Sequence, residues 1–422
     1  MQFIEGGVTA PEGFTANGML CGIKPGRTKN DTALIFSERP CAAAGMFTRN
    51  RVKAESVRLT MRNIADGKAQ AVIANSGNAN ACTGQEGALA AKRMADCASR
   101  ALGISGEDVI VCSTGVIGVR LPVEVIERNI DALASGLSKD GHKAAREAIM
   151  TTDTRFKECA VETEIGGKKV RLGTMCKGSG MIHINLGTML SFVTTDCAIT
   201  SAMLKKALER SVAGTYNCVS VDGDTSTNDT LTVLANGMAG NPLIDSEGGD
   251  FDIFCEALDA LNTVMAKKIA ADGEGATRLI ECNVRGAQSQ ESARALAKAV
   301  ISSSLVKAAM FGCDANFGRF LCAMGYSGID FNPDRTSIWF TSRPGAERYF
   351  DETLPFEVHG EDSVQVFKDG APVDFDEDLA RKIMGREAVE ILVQCADGDA
   401  DGTAWGCDLT YDYVKINGDY RT

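Results

Sequence analysis

The feature that most constrains this chain is a glycine-rich segment that runs directly into an apolar, β-branched stretch. It reads Lys177-Gly-Ser-Gly-Met-Ile-His-Ile-Asn-Leu-Gly-Thr188, and Met-Leu-Ser-Phe-Val-Thr-Thr-Asp196 follows. Residues 189 to 193 have the composition of a strand that enters a core, whereas the glycines before them favour a loop. Thr188 is therefore predicted at the junction of loop and strand, directly after the permissive Gly187.

A threonine in this setting can cleave its own peptide bond. If the Thr188 hydroxyl attacks the Gly187 carbonyl, the amide becomes an ester, and hydrolysis leaves a second fragment that begins with threonine. The new α-amine, with an ordinary pKa of about 7.7 to 8.0, can take the hydroxyl proton near neutral pH. The alternative is structural, because a Gly-Thr pair before a strand is commonly a turn followed by a β-branched residue.

Composition narrows the other classes of function. The chain has only three histidines, so a Ser-His-Asp site is not a natural interpretation. Its net charge of −12 argues against a general nucleic-acid partner, since phosphate binding needs a clustered positive field. The 15 cysteines are scattered without a C-x-x-C pair, which predicts reduced, buried thiols rather than a disulfide framework.

No signal-like or membrane-spanning stretch stands out, so we expect no membrane partner. The first residues lack a basic region followed by an apolar one, and no window approaches 18 uninterrupted apolar residues. The expected compartment is the cytoplasm, or an organelle whose targeting segment is absent here.

Hydrophobic periodicity predicts an α/β protein, with helix and strand alternating from residue 289 onwards as a second, smaller α/β unit. The predicted strands lie near 33–36, 56–60, 71–74, 108–112, 163–174 (a hairpin), 188–196, 218–221, 277–284, 305–310, 337–341, 388–394 and 404–416. The predicted helices lie near 87–102, 122–137, 144–150, 200–212, 250–271, 291–303, 316–324 and 376–384. Polar loops are expected at 75–80 and 113–118. Asp222, Asp224 and Asn228 lack the glycine and glutamate positions of an EF-hand, so a hydrogen-bonded loop is expected there.

Several motifs together resemble the ornithine acetyltransferase family, also called the bifunctional glutamate N-acetyltransferase family of arginine biosynthesis. Besides the segment around Thr188, they are Gly7-Val-Thr-Ala-Pro-Glu-Gly-Phe14, Asn75-Ser-Gly-Asn-Ala-Asn-Ala-Cys-Thr-Gly84, Cys112-Ser-Thr-Gly-Val-Ile-Gly118, Met150-Thr-Thr-Asp-Thr154, Asp272-Gly-Glu-Gly-Ala-Thr277 and Asn417-Gly-Asp-Tyr-Arg-Thr422. These motifs are distributed over nearly the whole chain.

The resemblance implies an α/β fold, the αββα sandwich of this family, with two central sheets covered by helices. It implies cleavage into an α chain, 1–187, and a β chain, 188–422. Residues 188–286 and 395–422 would complete the core, and 287–394 would form a smaller α/β domain. The implied assembly is a heterotetramer of two α and two β chains.

The implied activity is transfer of the acetyl group of N2-acetylornithine to glutamate through an acetyl-threonine intermediate. Acetyl-CoA is a possible co-substrate, and neither a cofactor nor a metal is implied. The rival enzyme is an N-terminal-nucleophile aminopeptidase or amidase of related fold, which would pass the acyl group to water. A binding protein that keeps the scaffold without catalysis is a further alternative.

The resemblance also assigns site residues. Thr188 is the nucleophile, and the Thr114 side chain and the Gly115 backbone N–H form the oxyanion hole, which suits the charge that acyl transfer develops. The implied substrate-binding residues are Thr151, Lys177, Thr188, Glu274, Asn417 and Thr422. Taken alone, these positions are equally compatible with a tight turn at 114–115, a capping turn at 151–154 and an exposed structural lysine.

Two positions depart from the family pattern close to the predicted cleavage site. Proline is usual where Ile184 stands, and alanine is usual where Gly187 stands. Both differences loosen the loop without removing a reacting atom, so we expect them to affect the rate of cleavage.

Overall fold

The structure, a computed structural model, describes residues 1–183, 189–348 and 360–419. The chain divides into two compact units. The first unit contains Met1–Gly178, Asn185–Val212 and Thr225–Met265, and the second contains Ser179–Ile184, Ala213–Asp224 and Ala266–Thr422. Each unit contains one large sheet and helices, which confirms the predicted α/β fold class.

The strands are β1 (Gln2–Ile4), β2 (Phe14–Met19), β3 (Thr32–Phe47), β4 (Lys68–Asn78), β5 (Val109–Val116), β6 (Lys157–Ile165), β7 (Lys168–Lys177), β8 (Ile182–His183), β9 (Leu190–Thr195), β10 (Val219–Thr225), β11 (Thr230–Ala235), β12 (Leu279–Ala287), β13 (Ser337–Ser342), β14 (Asp362–Lys368), β15 (Ala371–Pro372), β16 (Ala388–Gln394) and β17 (Ala400–Cys407). The helices are α1 (Glu55–Asn63), α2 (Gly84–Leu102), α3 (Val123–Ser135), α4 (His142–Ala148), α5 (Ser201–Gly214), α6 (Gly249–Ala271), α7 (Gln290–Ser302), α8 (Ser304–Gly312), α9 (Phe317–Gly325), α10 (Glu377–Met384) and α11 (Tyr411–Gly418).

The sheet of the first unit places β9 at its centre. Within the described residues its order is β1-β6-β7-β9-β11-β3-β4-β5, and β2 pairs with β3. Leu190, the first residue of β9, is opposite Lys177 in the antiparallel pair with β7 and opposite Thr230 in the parallel pair with β11. The strand that follows the predicted cleavage point is therefore held on both sides.

Both faces of this sheet are buried, which explains the continuous apolar runs of β4 and β5. Ile73 and Val111 pack into one cluster with residues of α2 and α3. Val72 and Ile110 belong to a second cluster on the other side, with residues of α4. Because successive side chains of a strand point to opposite faces, each of these short strands serves two cores.

The sheet of the second unit has the order β15-β14-β13-β16-β12-β17-β10-β8 within the described residues. Its strands β12 and β16 are parallel, whereas β12 and β17 are antiparallel. Helix α7 packs against β12 and β17. The short strand β8 lies at one edge of the sheet, beside β10.

Two predicted strands are helices in the structure. Residues 56–60 belong to α1. Val57 and Thr60, three residues apart, are both buried as on one face of a helix, whereas Arg58, which lies between them in the sequence, is exposed. Residues 305–310 belong to α8, which begins after Ser303, whose side chain accepts a hydrogen bond from the backbone N–H of Val306. In both cases β-branched residues suggested a strand, but this weak propensity is outweighed by the helical burial pattern in α1 and by the Ser303 cap in α8.

The structure also differs from prediction in the extent of three segments, the strand predicted for 404–416 and the loops predicted for 75–80 and 113–118. Strand β17 ends at Cys407, and α11 begins at Tyr411, after Thr410 has capped the backbone N–H of Tyr413. At the other site, β4 continues through Asn78, so the polar residues 75–78 belong to the strand. Polar side chains had suggested loops at 75–80 and 113–118, but β4 includes residues 75–78 and β5 continues through Val116.

The cysteine prediction is confirmed: all 15 thiols are free, and all but Cys82, Cys313 and Cys322 are buried. Among the described residues no group of three or more potential metal ligands is clustered. No single helix of the described ranges is long and apolar enough to span a membrane, although the bent pair α7–α8 passes that test by length and composition.

Candidate functional site

Gly115 occupies a position in the first unit where only glycine fits. Strands β4 and β5 run parallel, and Gly115 is opposite Gly77 near their carboxyl ends. Its φ is +133°, and a Cβ would lie 2.3 Å from the carbonyl carbon of Gly77. Because both the backbone conformation and the contact exclude a side chain, this glycine holds the two strand ends together.

Thr114 and Lys177 meet beside these strand ends. Lys177 is the last residue of β7, and its Nζ donates a hydrogen bond of 3.2 Å to Oγ1 of Thr114. The two residues are only 9 % and 8 % exposed. Because the threonine oxygen accepts this charge-assisted bond, its own hydrogen can be donated to a further acceptor, and the bond polarises it for that purpose.

Asp153 connects the turn at Thr151 to the backbone beyond Lys177. One carboxylate oxygen accepts hydrogen bonds of 2.7 Å from Lys157 Nζ and 2.7 Å from the Gly178 N–H. The other accepts a bond of 3.1 Å from the Thr151 N–H. Burial alone would raise the pKa of Asp153, but the charges of Lys157 and Lys177 lower it below its ordinary value, so the group is ionised.

Residues 226–229 form a polar loop that is fixed against the ends of β4 and β5, whereas Asp222 and Asp224, which were expected in the same loop, lie in β10. Nδ2 of Asn228 donates hydrogen bonds of 2.6 Å to the Ala79 carbonyl and 2.7 Å to the Ser113 carbonyl. Ser113 directly precedes Thr114, so this amide helps to fix the backbone that carries the threonine. The next residue, Asp229, is 2 % exposed.

In the second unit, Glu274 and Asn417 form a hydrogen-bonded pair. Glu274 is 7 % exposed, and its Oε2 accepts a bond of 2.8 Å from Asn417 Nδ2. Its backbone N–H donates a bond of 3.0 Å to the Ser179 carbonyl. A Cβ at Gly180 would lie 2.2 Å from the carboxylate carbon of Glu274, so glycine is required for this approach.

Asp222 holds the segment that leads towards the predicted cleavage point. Its carboxylate accepts bonds of 2.6 Å from the Met181 N–H and 2.8 Å from the Ile182 N–H. Asp222 therefore acts as a hydrogen-bond acceptor for the backbone of this segment. Tyr413 lies beside it, and burial together with the Asp222 charge raises the pKa of the tyrosine.

His183 is the histidine nearest in sequence to the predicted cleavage point. Its Nδ1 lies 3.0 Å from Ser220 Oγ. Burial, followed by the charge of Lys298, lowers the pKa of His183 to about 4. The imidazole is therefore neutral near pH 7.

The predicted site residues fall into three sets. The structure brings Thr114, Gly115, Lys177 and Thr151 into one neighbourhood of the first unit, and it brings Glu274 and Asn417 together in the second. The remaining residues of the prediction, Thr188 and Thr422 together with Gly187 and Ile184, lie outside the described residues.

Sequence reasoning did not single out three buried titratable residues of the first unit: Asp153, Lys157 and Asp229. The pattern Thr-Thr-Asp-Thr indicated only a polar or capping turn, and Lys157 lies in a stretch with no motif. Burial of these residues follows from strand pairing over long sequence separations, which a local pattern does not contain.

Comparison with known proteins gives one consistent result. The ArgJ family model matches residues 15–422. The arginine biosynthesis bifunctional protein ArgJ of Symbiobacterium thermophilum is 50 % identical over 100 % of both chains. The protein of the same name from Caldanaerobacter subterraneus subsp. tengcongensis is 48 % identical, again over 100 % of both chains.

Solved structures also align with part of the chain. The ornithine acetyltransferase of Mycobacterium tuberculosis, determined with ornithine bound, is 40 % identical with a TM-score of 0.41, and the match covers 43 % of this chain and 96 % of that chain. The arginine biosynthesis bifunctional protein of Bacillus halodurans is 41 % identical with a TM-score of 0.41, and the match covers 44 % of this chain and 96 % of that chain.

Proposed function

The chain belongs to the ArgJ family, and on that basis we propose that it is a self-processing acetyltransferase of arginine biosynthesis. In the proposed reaction the acetyl group of N2-acetylornithine passes to glutamate, giving ornithine and N-acetylglutamate. The Thr188 hydroxyl is the proposed nucleophile, and it carries the acetyl group as an ester between the two half-reactions.

Cleavage between Gly187 and Thr188 supplies the base. The released α-amine takes the proton of the threonine hydroxyl while that oxygen attacks the acetyl carbonyl carbon, and the proton then passes to the departing nitrogen of ornithine. In the second half-reaction the glutamate amine attacks the ester carbonyl, the C–O bond breaks and the hydroxyl regains its proton. No cofactor enters these steps.

The hydrogen bond from Lys177 to Thr114 is the observation that best supports this chemistry. It leaves the Thr114 hydroxyl able to donate to an oxyanion, next to the positive charge of a buried lysine. Lys177 is also opposite Leu190 in the sheet, and Leu190 is two residues after Thr188 in the chain. We assign the oxyanion hole to the Thr114 hydroxyl and the backbone N–H of Gly115.

The proposed substrate contacts are complementary to the charged groups of an amino acid. Lys177 supplies a cation for a carboxylate, with Thr151 nearby through Asp153. Glu274 supplies an anion for an ammonium group, with Asn417 holding its carboxylate. Thr422 and Thr188 complete the proposed set.

Three further features belong to the proposal. Acetyl-CoA serves as a second acetyl donor, which the description of the relatives as bifunctional supports. The α chain, 1–187, and the β chain, 188–422, stay together and pair into a heterotetramer. The enzyme works in the cytoplasm.

Turnover of N2-acetylornithine with and without glutamate tests the reaction class. We expect ornithine release to depend on glutamate, with one N-acetylglutamate formed for each ornithine. Ornithine release that continues unchanged without glutamate would instead identify a hydrolase, the aminopeptidase or amidase alternative. The Thr188→Ser variant should keep part of the transfer activity, and full transfer by Thr188→Ala would contradict the assignment of the nucleophile.

A further inference from the structure

The loop before β8, in the second unit, holds a backbone conformation that its sequence does not favour. Met181 has a φ of +56°, in the left-handed region that residues with a side chain rarely adopt. Its side chain is 43 % exposed, so packing of that side chain does not explain the conformation. A disfavoured conformation persists only where the surrounding structure imposes it, and such positions are common at functional sites.

Asp222 imposes this conformation from the neighbouring strand β10. Its carboxylate accepts hydrogen bonds of 2.6 Å from the Met181 N–H and 2.8 Å from the Ile182 N–H. The oxygen that accepts the second bond also accepts one of 3.1 Å from the Asp224 N–H, so the carboxylate is itself fixed. Because hydrogen bonds to a carboxylate are roughly twice as strong as neutral ones, Asp222 can hold the loop in a strained turn.

Glu274 is the group against which this loop packs. A Cβ at Gly180 would lie 2.2 Å from the carboxylate carbon of Glu274. The Ser179 carbonyl accepts a hydrogen bond of 3.0 Å from the Glu274 N–H, and the Ser179 hydroxyl donates one of 2.7 Å to the Asp272 carbonyl. Residues 179 and 180 therefore contact both the backbone and the carboxylate of Glu274.

The charge of Glu274 distinguishes the two proposed substrates. In N2-acetylornithine the α-nitrogen is an amide, so its only ammonium group is the one at the end of the side chain. Glutamate ends its side chain in a carboxylate, and its α-amine must be unprotonated to attack an ester. A carboxylate held in a fixed place at position 274 therefore favours the side chain of the donor and repels that of the acceptor.

We propose that Asp222 is a positioning residue for recognition of the acetyl donor. By holding the N–H groups of residues 181 and 182, it keeps Gly180 against the Glu274 carboxylate, which binds the side-chain ammonium group of N2-acetylornithine. This inference rests on the proposed function and on the role that it gives to Glu274. Asp222 does not touch the donor, so its effect is on the choice of donor rather than on the chemical step.

The test compares two donors, N2-acetylornithine and N2-acetylnorvaline, that differ only in the ammonium group at the end of the side chain. The ratio of their kcat/KM values measures recognition of that group. A partial loss of folded protein lowers both values equally and cancels from the ratio. In the wild type we expect a preference for N2-acetylornithine of at least about 100-fold, since a site built for an N–H donor rejects the analogue that lacks it.

Asp222→Asn keeps the shape of the side chain but turns an NH2 group towards one of the two backbone N–H groups. We expect the preference to fall at least about 10-fold, with KM for N2-acetylornithine raised and kcat within about threefold of wild type. The matched control is Asp224→Asn, the same change at an exposed position two residues away, which should leave the preference unchanged. A preference in Asp222→Asn within about threefold of wild type would overturn the proposal.

Gly180→Ala tests the same contact from the side of the loop and decides the matter if Asp222→Asn does not fold. The new Cβ would meet the end of the flexible Glu274 side chain, which can move aside without displacing the backbone. We expect the displaced carboxylate to lower the preference at least about 10-fold. An unchanged preference would show that the loop does not position Glu274, contrary to the proposal.

Glu274→Gln separates a failure of this inference from a failure of the proposed function. If the wild type transfers no acetyl group from N2-acetylornithine to glutamate, the proposed function itself fails. If Glu274→Gln keeps the wild-type preference, the ammonium-binding role of Glu274 is wrong. If Glu274→Gln loses the preference while Asp222→Asn keeps it, only the positioning role of Asp222 is refuted.

Discussion

The substitution Gly115→Ala tests the proposed oxyanion hole at the level of single atoms. The new Cβ would lie 2.3 Å from the carbonyl carbon of Gly77 and 2.5 Å from the backbone nitrogen of Asn78. Carbon atoms in contact rest about 3.5 Å apart, so β4 and β5 must separate locally by roughly 1 Å. Because the obstacle is backbone rather than a flexible side chain, no rotamer change relieves it.

The displacement would move the Gly115 N–H away from the position proposed for the oxyanion. Removal of one such donor costs about 100- to 1,000-fold in kcat, and we expect that range for Gly115→Ala. KM for N2-acetylornithine should change little, because the oxyanion develops only in the transition state. The assay is steady-state acetyl transfer to glutamate, with circular dichroism to confirm folding.

Gly118→Ala is the matched control for backbone strain. Gly118 also has a positive φ, +77°, but a Cβ there meets no atom within 4 Å. Alanine at position 118 should therefore destabilise the folded state by about 1–3 kcal/mol without moving a strand. We expect a lower melting temperature with kcat nearly unchanged. If Gly115→Ala keeps kcat within about threefold of wild type, the oxyanion assignment is refuted.

Two further predictions concern stability. Asp153→Asn removes the carboxylate that pairs with the buried Lys157, so urea unfolding should show a loss of about 3 to 5 kcal/mol. The control Asp96→Asn breaks an exposed ion pair and should lose less than about 1 kcal/mol, and equal losses in the two variants would contradict the argument. In the folded state the pKa of His183 is lowered to about 4. The neutral imidazole therefore stabilises the fold fully above about pH 6.5, and this stabilisation is lost as the pH falls towards 4. Thermal melts between pH 8 and 5 should therefore show a weaker pH dependence in His183→Gln, and an unchanged slope would exclude this role.

The parts of the fold that sequence reasoning predicted correctly have strong local signals. The helix at 250–271 and the hairpin that turns at Gly166-Gly167 were expected, and α6 and the pair β6–β7 confirm them. The segment 305–310 carried a contrary signal in Ser303, which caps α8. That signal was outweighed by the β-branched Val306, because single-residue strand propensity depends strongly on context.

Sequence reasoning named those residues of the candidate site that lie in motifs, and it missed residues whose burial depends on strand pairing between distant segments. Thr114, Gly115 and Lys177 lie in recognisable motifs, and the structure places the side chains of Thr114 and Lys177 in contact. Asp229 follows a polar loop and gave no sign that it would be enclosed. Its burial depends on β11 pairing with both β9 and β3, across separations of about 40 and 180 residues in the printed sequence.

Intact-mass analysis with N-terminal sequencing of the purified, active protein tests the central claim most directly. The account predicts two fragments in place of the 44.7 kDa chain, with the second fragment beginning at Thr188. Fully active protein that consists of one unbroken chain beginning at Met1 would contradict it.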